Sequence, residues 1–126
     1  MKIIKKLKYD EILLKLQKIC RGVEDFAYND FGKYIKNEEF YQYGVDKKHE
    51  SNEVMYLEGI GICIEIDEYG GEGKGEEWYS VKWFPEHDIY IKVEGFYQSY
   101  HGTEFYEGWD CCSNVKPKTR TITVYE

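Results

Sequence analysis

The fold is decided by residues 60–67, which read Ile60-Gly61-Ile62-Cys63-Ile64-Glu65-Ile66-Asp67. Four isoleucines occupy every second position, and small or charged residues stand between them. Because successive side chains of a β-strand point to opposite faces, this period of two predicts a strand whose isoleucines form the core face. On this interpretation Ile64→Asp buries an unpaired charge and unfolds the protein, whereas Glu65→Lys on the other face is nearly neutral.

The same alternation recurs along the chain after this strand. A glycine-rich loop at Tyr69–Gly75 and a turn at Pro85–Asp88 separate the next apolar runs, and Gly95 is a candidate β-bulge. The predicted strands are 60–67, 77–84, 89–94, 96–100 and 120–125. Short strands separated by turn residues predict an antiparallel, meander-like sheet of four to five strands.

The N-terminal segment has the period of a helix instead. Apolar residues recur every three or four positions between Asp10 and Cys20, and Gly22 can close a helix there. The stretch 24–43 predicts one or two short helices, and 45–52 predicts an exposed loop. Since helices precede strands, we expect an α+β fold in one domain, with a mainly helical segment at 1–45 and an antiparallel sheet at 53–126.

Composition limits the classes of function. The 126 residues carry a net charge of -7, but residues 1–21 carry +5 and the remainder -12. Such an acidic surface repels phosphates, so direct nucleic-acid binding is not expected. No stretch of about 20 apolar residues predicts a membrane span, and the lysine-rich start does not resemble a signal peptide. We therefore expect a cytoplasmic protein with reduced cysteines.

The motifs do not assemble a catalytic or metal site. Gly71-x-Gly73-x-Gly75 precedes a strand pattern, whereas a phosphate-binding loop precedes a helix. The histidines lack the spacing of local metal ligands, and Ser99 lacks the turn that exposes a nucleophilic serine. We expect no catalytic residue, no metal and no cofactor, and a small enzyme is the least favoured class.

Two groups of residues are candidates for binding. Carboxylates around the glycine loop form a predicted acidic rim, and aromatic residues beside a few cations are predicted interface or ligand contacts. The rim comprises Glu65, Asp67, Glu68, Glu72, Glu76 and Glu77. The second group comprises Trp78, Tyr90, Lys92, Tyr97, Tyr100, His101, Trp109 and Arg120. Alternatively, these rings build a second small core.

Three runs in the C-terminal half resemble small orphan proteins of tailed bacteriophages. They are GGEGKGEEWYSV at 70–81, IKVEGFYQSYHGTEF at 91–105 and VKPKTRTITVYE at 115–126. The resemblance implies a phage genome and a bacterial host cell, without any known activity or site residue. It carries no implication for residues 1–50.

The preferred hypothesis combines this resemblance with the charge. It is a non-enzymatic phage inhibitor of a host defence protein, which binds a basic patch on that protein through its acidic, aromatic surface. The alternative is a nucleotide-binding sponge, in which Tyr97, Tyr100 and Trp109 stack on a base and Lys92 or Arg120 holds phosphate. Assembly into a homo-oligomer stays open.

Overall fold

The computed structural model describes residues 5–35, 53–100, 102–105, 108–119 and 123–125. Two helices, α1 (Tyr9–Ile19) and α2 (Val23–Ala27), are followed by strands of one sheet. The strands are β1 (Lys33–Tyr34), β2 (Val54–Leu57), β3 (Gly61–Tyr69), β4 (Glu77–Phe84), β5 (Ile89–Gln98), β6 (Gly102–Glu104) and β7 (Cys112–Val115). The predicted α+β class with an antiparallel meander is confirmed, although the described residues contain seven strands rather than four or five.

The first six strands, β1 to β6, lie side by side in chain order with antiparallel pairing, and β7 returns to pair with β5. The β4–β5 register is continuous, with Gly95 directly opposite Trp78, so the predicted bulge at Gly95 is wrong. The irregularity lies instead in β3, between Glu65 and Asp67. It shifts the pairing with β4 by one residue.

The two predicted strands 89–94 and 96–100 form the single strand β5, and the remaining differences from prediction concern short strands. β1 lies inside the segment predicted to be mainly helical, and β2 and β7 have too few residues to show an alternation. Of the predicted strand 120–125, the structure describes Thr123–Tyr125, which are exposed and outside any strand. Residues 36–43 of the predicted helical stretch and the predicted loop at 45–52 lie outside the described residues.

Both helices pack on the same face of the sheet, which we call the helix face. Ile12 and Leu16 of α1 and Phe26 of α2 are fully buried there against Phe84 and Ile91. The amphipathic period of α1 explains its position, because one apolar stripe fits one sheet face. Glu11 stabilises the start of α1 by accepting a hydrogen bond from the Lys8 backbone N–H at 3.3 Å.

The opposite side of the sheet, which we call the second face, carries a smaller cluster. Its buried members are Ile35, Val54, Ile62 and Ile64, with Ile66 and Trp83 packed against them. Cys63 points to the helix face, and Ile60 also belongs to the core under the helices. The prediction that the four isoleucines form the core face is therefore wrong in part. Both faces of β3 are buried over 61–64, and Ile62 and Ile64 lie away from the helices.

Candidate functional site

The structure divides the predicted aromatic residues between the two faces. Trp78 is buried on the helix face, and Tyr97 and Trp109 pack against the same core. Tyr90 lies on the second face, opposite Trp83. Tyr100 is 93% exposed after β5. Predicted residues His101 and Arg120 lie outside the described residues.

The second face carries two pairs of stacked rings. Tyr69 of β3 lies opposite Tyr79 of β4, with ring centroids 5.8 Å apart and planes 18° apart. Trp83 of β4 lies opposite Tyr90 of β5, with centroids 5.8 Å apart and planes 13° apart. Directly opposed side chains approach closely on a sheet, so the register produces these pairs. We call the four rings, together with Lys92, the aromatic patch.

Cations and carboxylates surround the rings of the patch. The Lys92 ammonium lies 4.6 Å from the Tyr79 ring centroid and 3.6 Å from a Glu94 carboxylate oxygen. Lys74 of the glycine loop lies 6.0 Å from the Tyr69 centroid. Desolvation, and then the charge of Asp67 and hydrogen bonding to its carboxylate, raise the pKa of Tyr79. The ring faces of the patch are therefore next to groups of both charges.

The predicted acidic rim does not stay together. Glu72, Glu76 and Glu77 are exposed in the loop before β4 and at its first residue, and Asp67 is exposed on the second face. Glu68 lies on the helix side of β3, opposite Ser80. The remaining member, Glu65, points inward. Four of the six carboxylates thus lie on or beside the second face.

Glu65 belongs to a buried polar network around Lys82, which is fully buried. The Lys82 ammonium donates hydrogen bonds to Glu65 Oε2 at 2.8 Å, to Ser80 Oγ at 2.6 Å and to the Ala27 carbonyl at 3.1 Å. Ser80 Oγ in turn donates to Glu65 Oε2 at 2.8 Å. Because Ala27 ends α2, this ammonium fastens α2 to the middle of the sheet.

Asn29 and two further carboxylates complete this network. The Asn29 amide donates to Glu65 Oε2 at 2.9 Å and also to Glu53. Burial raises the pKa of Glu65, but the Lys82 charge and the hydrogen bonds from Lys82, Asn29 and Ser80 outweigh burial and leave it below the ordinary value. Burial and a hydrogen bond to Glu65 raise the pKa of Glu68. Opposite shifts in adjacent carboxyls can mark acid–base chemistry.

The surroundings of the network favour a structural role. Lys82 is enclosed by the core. Neither Lys82 nor Glu65 lines either of two surface clefts, one beside Trp109 and one beside Tyr100, which are described below. Sequence reasoning missed this role for Lys82. The available signal was the order Trp78, Ser80, Lys82, Phe84 on one face of β4, where two polar residues stand between two large apolar ones.

Two clefts contain predicted aromatic residues. One, of about 640 Å³, is lined by Trp109, Phe105 and the segment from Arg21 to Asp25. Another, of about 450 Å³, is lined by Tyr97, Tyr100 and the glycine loop. The three rings of the predicted nucleotide site are thus distributed over two clefts.

The four cysteines are free thiols. Burial raises the pKa values of Cys20 and Cys63 to about 12, so these thiols are poor nucleophiles near neutral pH. Cys111 is buried directly before β7, and Cys112 is the first residue of that strand. Among the described residues, no group of three or more His, Cys, Asp or Glu side chains could hold a metal ion.

Within the described residues, no helix has the length and apolar character needed to cross a membrane. Comparisons of the chain with protein-family models, with curated proteins and with solved structures gave no match.

Proposed function

We propose that this chain is a non-enzymatic binding protein whose second face and adjoining glycine loop contact a basic patch on another protein. The observation that supports it is the aromatic patch with its surrounding carboxylates. Rings that are apolar on their faces and polar at one end are enriched in protein interfaces. In the phage setting that the resemblance implies, the partner is a host defence protein and binding inhibits it.

The charge of this surface supports a basic partner. Among the described residues this surface carries the carboxylates of Asp67, Glu72, Glu76, Glu77 and Glu94 against the ammonium groups of Lys33, Lys74 and Lys92, so carboxylates are in excess. A net charge of this sign attracts a basic patch and repels nucleic-acid phosphates. Exposed charges at the margin of an interface act mainly on the association rate.

The test reverses the charge of the loop carboxylates. The variant Glu72→Lys, Glu76→Lys, Glu77→Lys is compared with Glu24→Lys, Glu58→Lys, Asp110→Lys, whose carboxylates are also exposed but lie elsewhere. A host protein is first captured at low salt by the natural chain, and the rate at which it associates with each variant is then measured. We expect association to slow at least about tenfold for the loop variant alone, with a flatter salt dependence. Equal rates for both variants would contradict the proposal.

A second candidate function rests on the cleft at Trp109. Phe105 and Trp109 offer ring surfaces to a flat ligand. Arg21, whose side chain is 90% exposed and lies 3.6 Å from an Asp25 carboxylate oxygen, offers a cation for a phosphate that replaces this pairing. This arrangement supports nucleotide binding at a site different from the predicted one. Denaturing the purified protein should release a nucleotide that mass spectrometry detects. A matching nucleotide from a panel should raise the melting temperature of the natural chain but not that of Arg21→Ala. Absence of both effects would eliminate this candidate.

A further inference from the structure

We propose that the partner's basic patch is recognised through arginine rather than lysine, with guanidinium groups stacking on the rings of the aromatic patch. This inference rests on the proposed function, because it specifies the chemistry of the partner at the same surface. It depends on three features of the second face: ring faces that accept cations, carboxylates at their margins, and lysines already in place.

The rings of the patch already accept cations from this chain. The Lys92 ammonium lies 4.6 Å from the centroid of Tyr79, and the Lys74 ammonium lies 6.0 Å from that of Tyr69. Both distances are within the range of cation–π attraction. A partner lysine at these rings would exchange one ammonium group for another, so it would gain little.

A guanidinium group offers two contacts that an ammonium group lacks. It stacks flat on an aromatic ring, and its donors form a planar fork that matches a carboxylate. Tyr79 has such carboxylates on several sides. Glu94 lies directly opposite it on β5, Asp67 lies on the same face opposite Val81, where desolvation and then this carboxylate raise the pKa of the Tyr79 hydroxyl, and Glu77 is two residues earlier on the same face of β4. A guanidinium group that displaces the Lys92 ammonium from the Tyr79 ring can therefore stack on that ring and contact a carboxylate at the same time.

The bulge in β3 is what gives the patch one of these carboxylates. Before the bulge Glu65 pairs with Lys82, and after it Asp67 pairs with Val81 instead of Ser80. Val81 is on the second face with Tyr79 and Trp83, whereas Ser80 is on the helix face with Lys82. Without the extra residue Asp67 would point under the helices, and the Tyr79 ring would lose this neighbour.

The experiment compares fluorescently labelled nona-arginine and nona-lysine binding to the full chain, measured by anisotropy at low and at physiological salt. The two peptides have equal charge, so a difference reports guanidinium recognition. We expect nona-arginine to bind about tenfold more tightly. Tyr79→Leu should remove most of that preference, and Tyr69→Leu provides a second test of the same ring pair if the first variant folds poorly. Tyr28→Leu, at a tyrosine that is 49% exposed and contacts Trp78 on the helix face, should keep the preference.

The outcomes separate this inference from the proposed function. Equal binding of the two peptides would overturn arginine recognition and leave an acidic binding surface standing. A preference that survives both Tyr69→Leu and Tyr79→Leu would overturn the assignment to the aromatic patch. Binding of neither peptide, even at low salt, would overturn the inference and the proposed function together.

Discussion

Neutralising Glu65 tests the most specific claim about stability, that the Lys82 ammonium is tolerated in the core because of one carboxylate. The substitution Glu65→Gln keeps the size of the side chain and removes its charge. Lys82 has no exposed side-chain surface and Glu65 has 13%, so solvent does little to replace the lost interaction. Removing one partner of a buried ion pair typically costs about 3–5 kcal/mol, because the other charge stays buried.

Two remaining acceptors place the expected loss at the lower end of that range. Ser80 Oγ and the Ala27 carbonyl still accept hydrogen bonds from Lys82 in the variant. We therefore expect the free energy of unfolding to fall by about 3 kcal/mol, a large part of the roughly 5–15 kcal/mol of a typical domain. For a chain of this size, the melting temperature should fall by about 10 °C.

The assay is urea unfolding of a double-mutant cycle with Lys82→Met. Methionine fills the space with an uncharged chain, so the double variant Glu65→Gln, Lys82→Met should be more stable than Glu65→Gln alone. Glu72→Gln, in the exposed loop, serves as the control and should change the free energy of unfolding by less than about 0.5 kcal/mol. A loss below about 1 kcal/mol for Glu65→Gln, or additive effects in the cycle, would refute the reasoning.

Three further predictions concern other parts of the fold. The pKa of Glu68 is raised in the folded protein, so its protonated form stabilises the fold at low pH, and this stabilisation is lost as the pH rises through the pKa. We therefore expect Glu68→Gln to stabilise the protein at pH 7 but not below about pH 4. Melting temperatures measured against pH test this. Ile64→Asp should cost several kcal/mol, because the side chain is 1% exposed in the second cluster; a melting temperature within a few degrees of the natural one would contradict this. Gly95→Ala should lower the free energy of unfolding, measured by urea denaturation, by about 1–3 kcal/mol, because the new Cβ would lie 2.8 Å from the Phe105 ring. The control Gln98→Ala, at an exposed residue of the same strand, should be nearly neutral.

Periodicity sufficed for the elements that are long enough to show it. The predicted run 77–84 coincides with β4, and the predicted helix at 10–20 differs from α1 by one residue at each end. β2 and β7 have four residues each, and their existence depends on pairing with β3 and β5. Such strands are specified by contacts between distant residues, which a local pattern does not contain.

The candidate site shows the same limit. Local sequence placed Glu65 with its acidic neighbours, but its position is set by Lys82 and Asn29, which are 17 and 36 residues away. The expectation that Glu65→Lys is neutral therefore needs revision, because that substitution would place two ammonium groups together in the core. In contrast, Glu72 and Glu76 are exposed as expected, since a glycine-rich loop has no apolar residues to bury them.

The bulge in β3 connects the stability of the fold to the proposed binding surface. In a regular strand Glu65 and Asp67 would share a face and Glu68 would lie on the other. The extra residue instead puts Glu65 and Glu68 on the helix side of β3, where Glu65 pairs with Lys82 and Glu68 is exposed opposite Ser80. It leaves Asp67 near Tyr79 on the second face. One short acidic run thereby supplies both the counter-ion of the buried lysine and a carboxylate of the aromatic patch. A change that removed the bulge would disturb the core and the proposed interface together, so variants that test binding have to leave residues 65–67 unchanged.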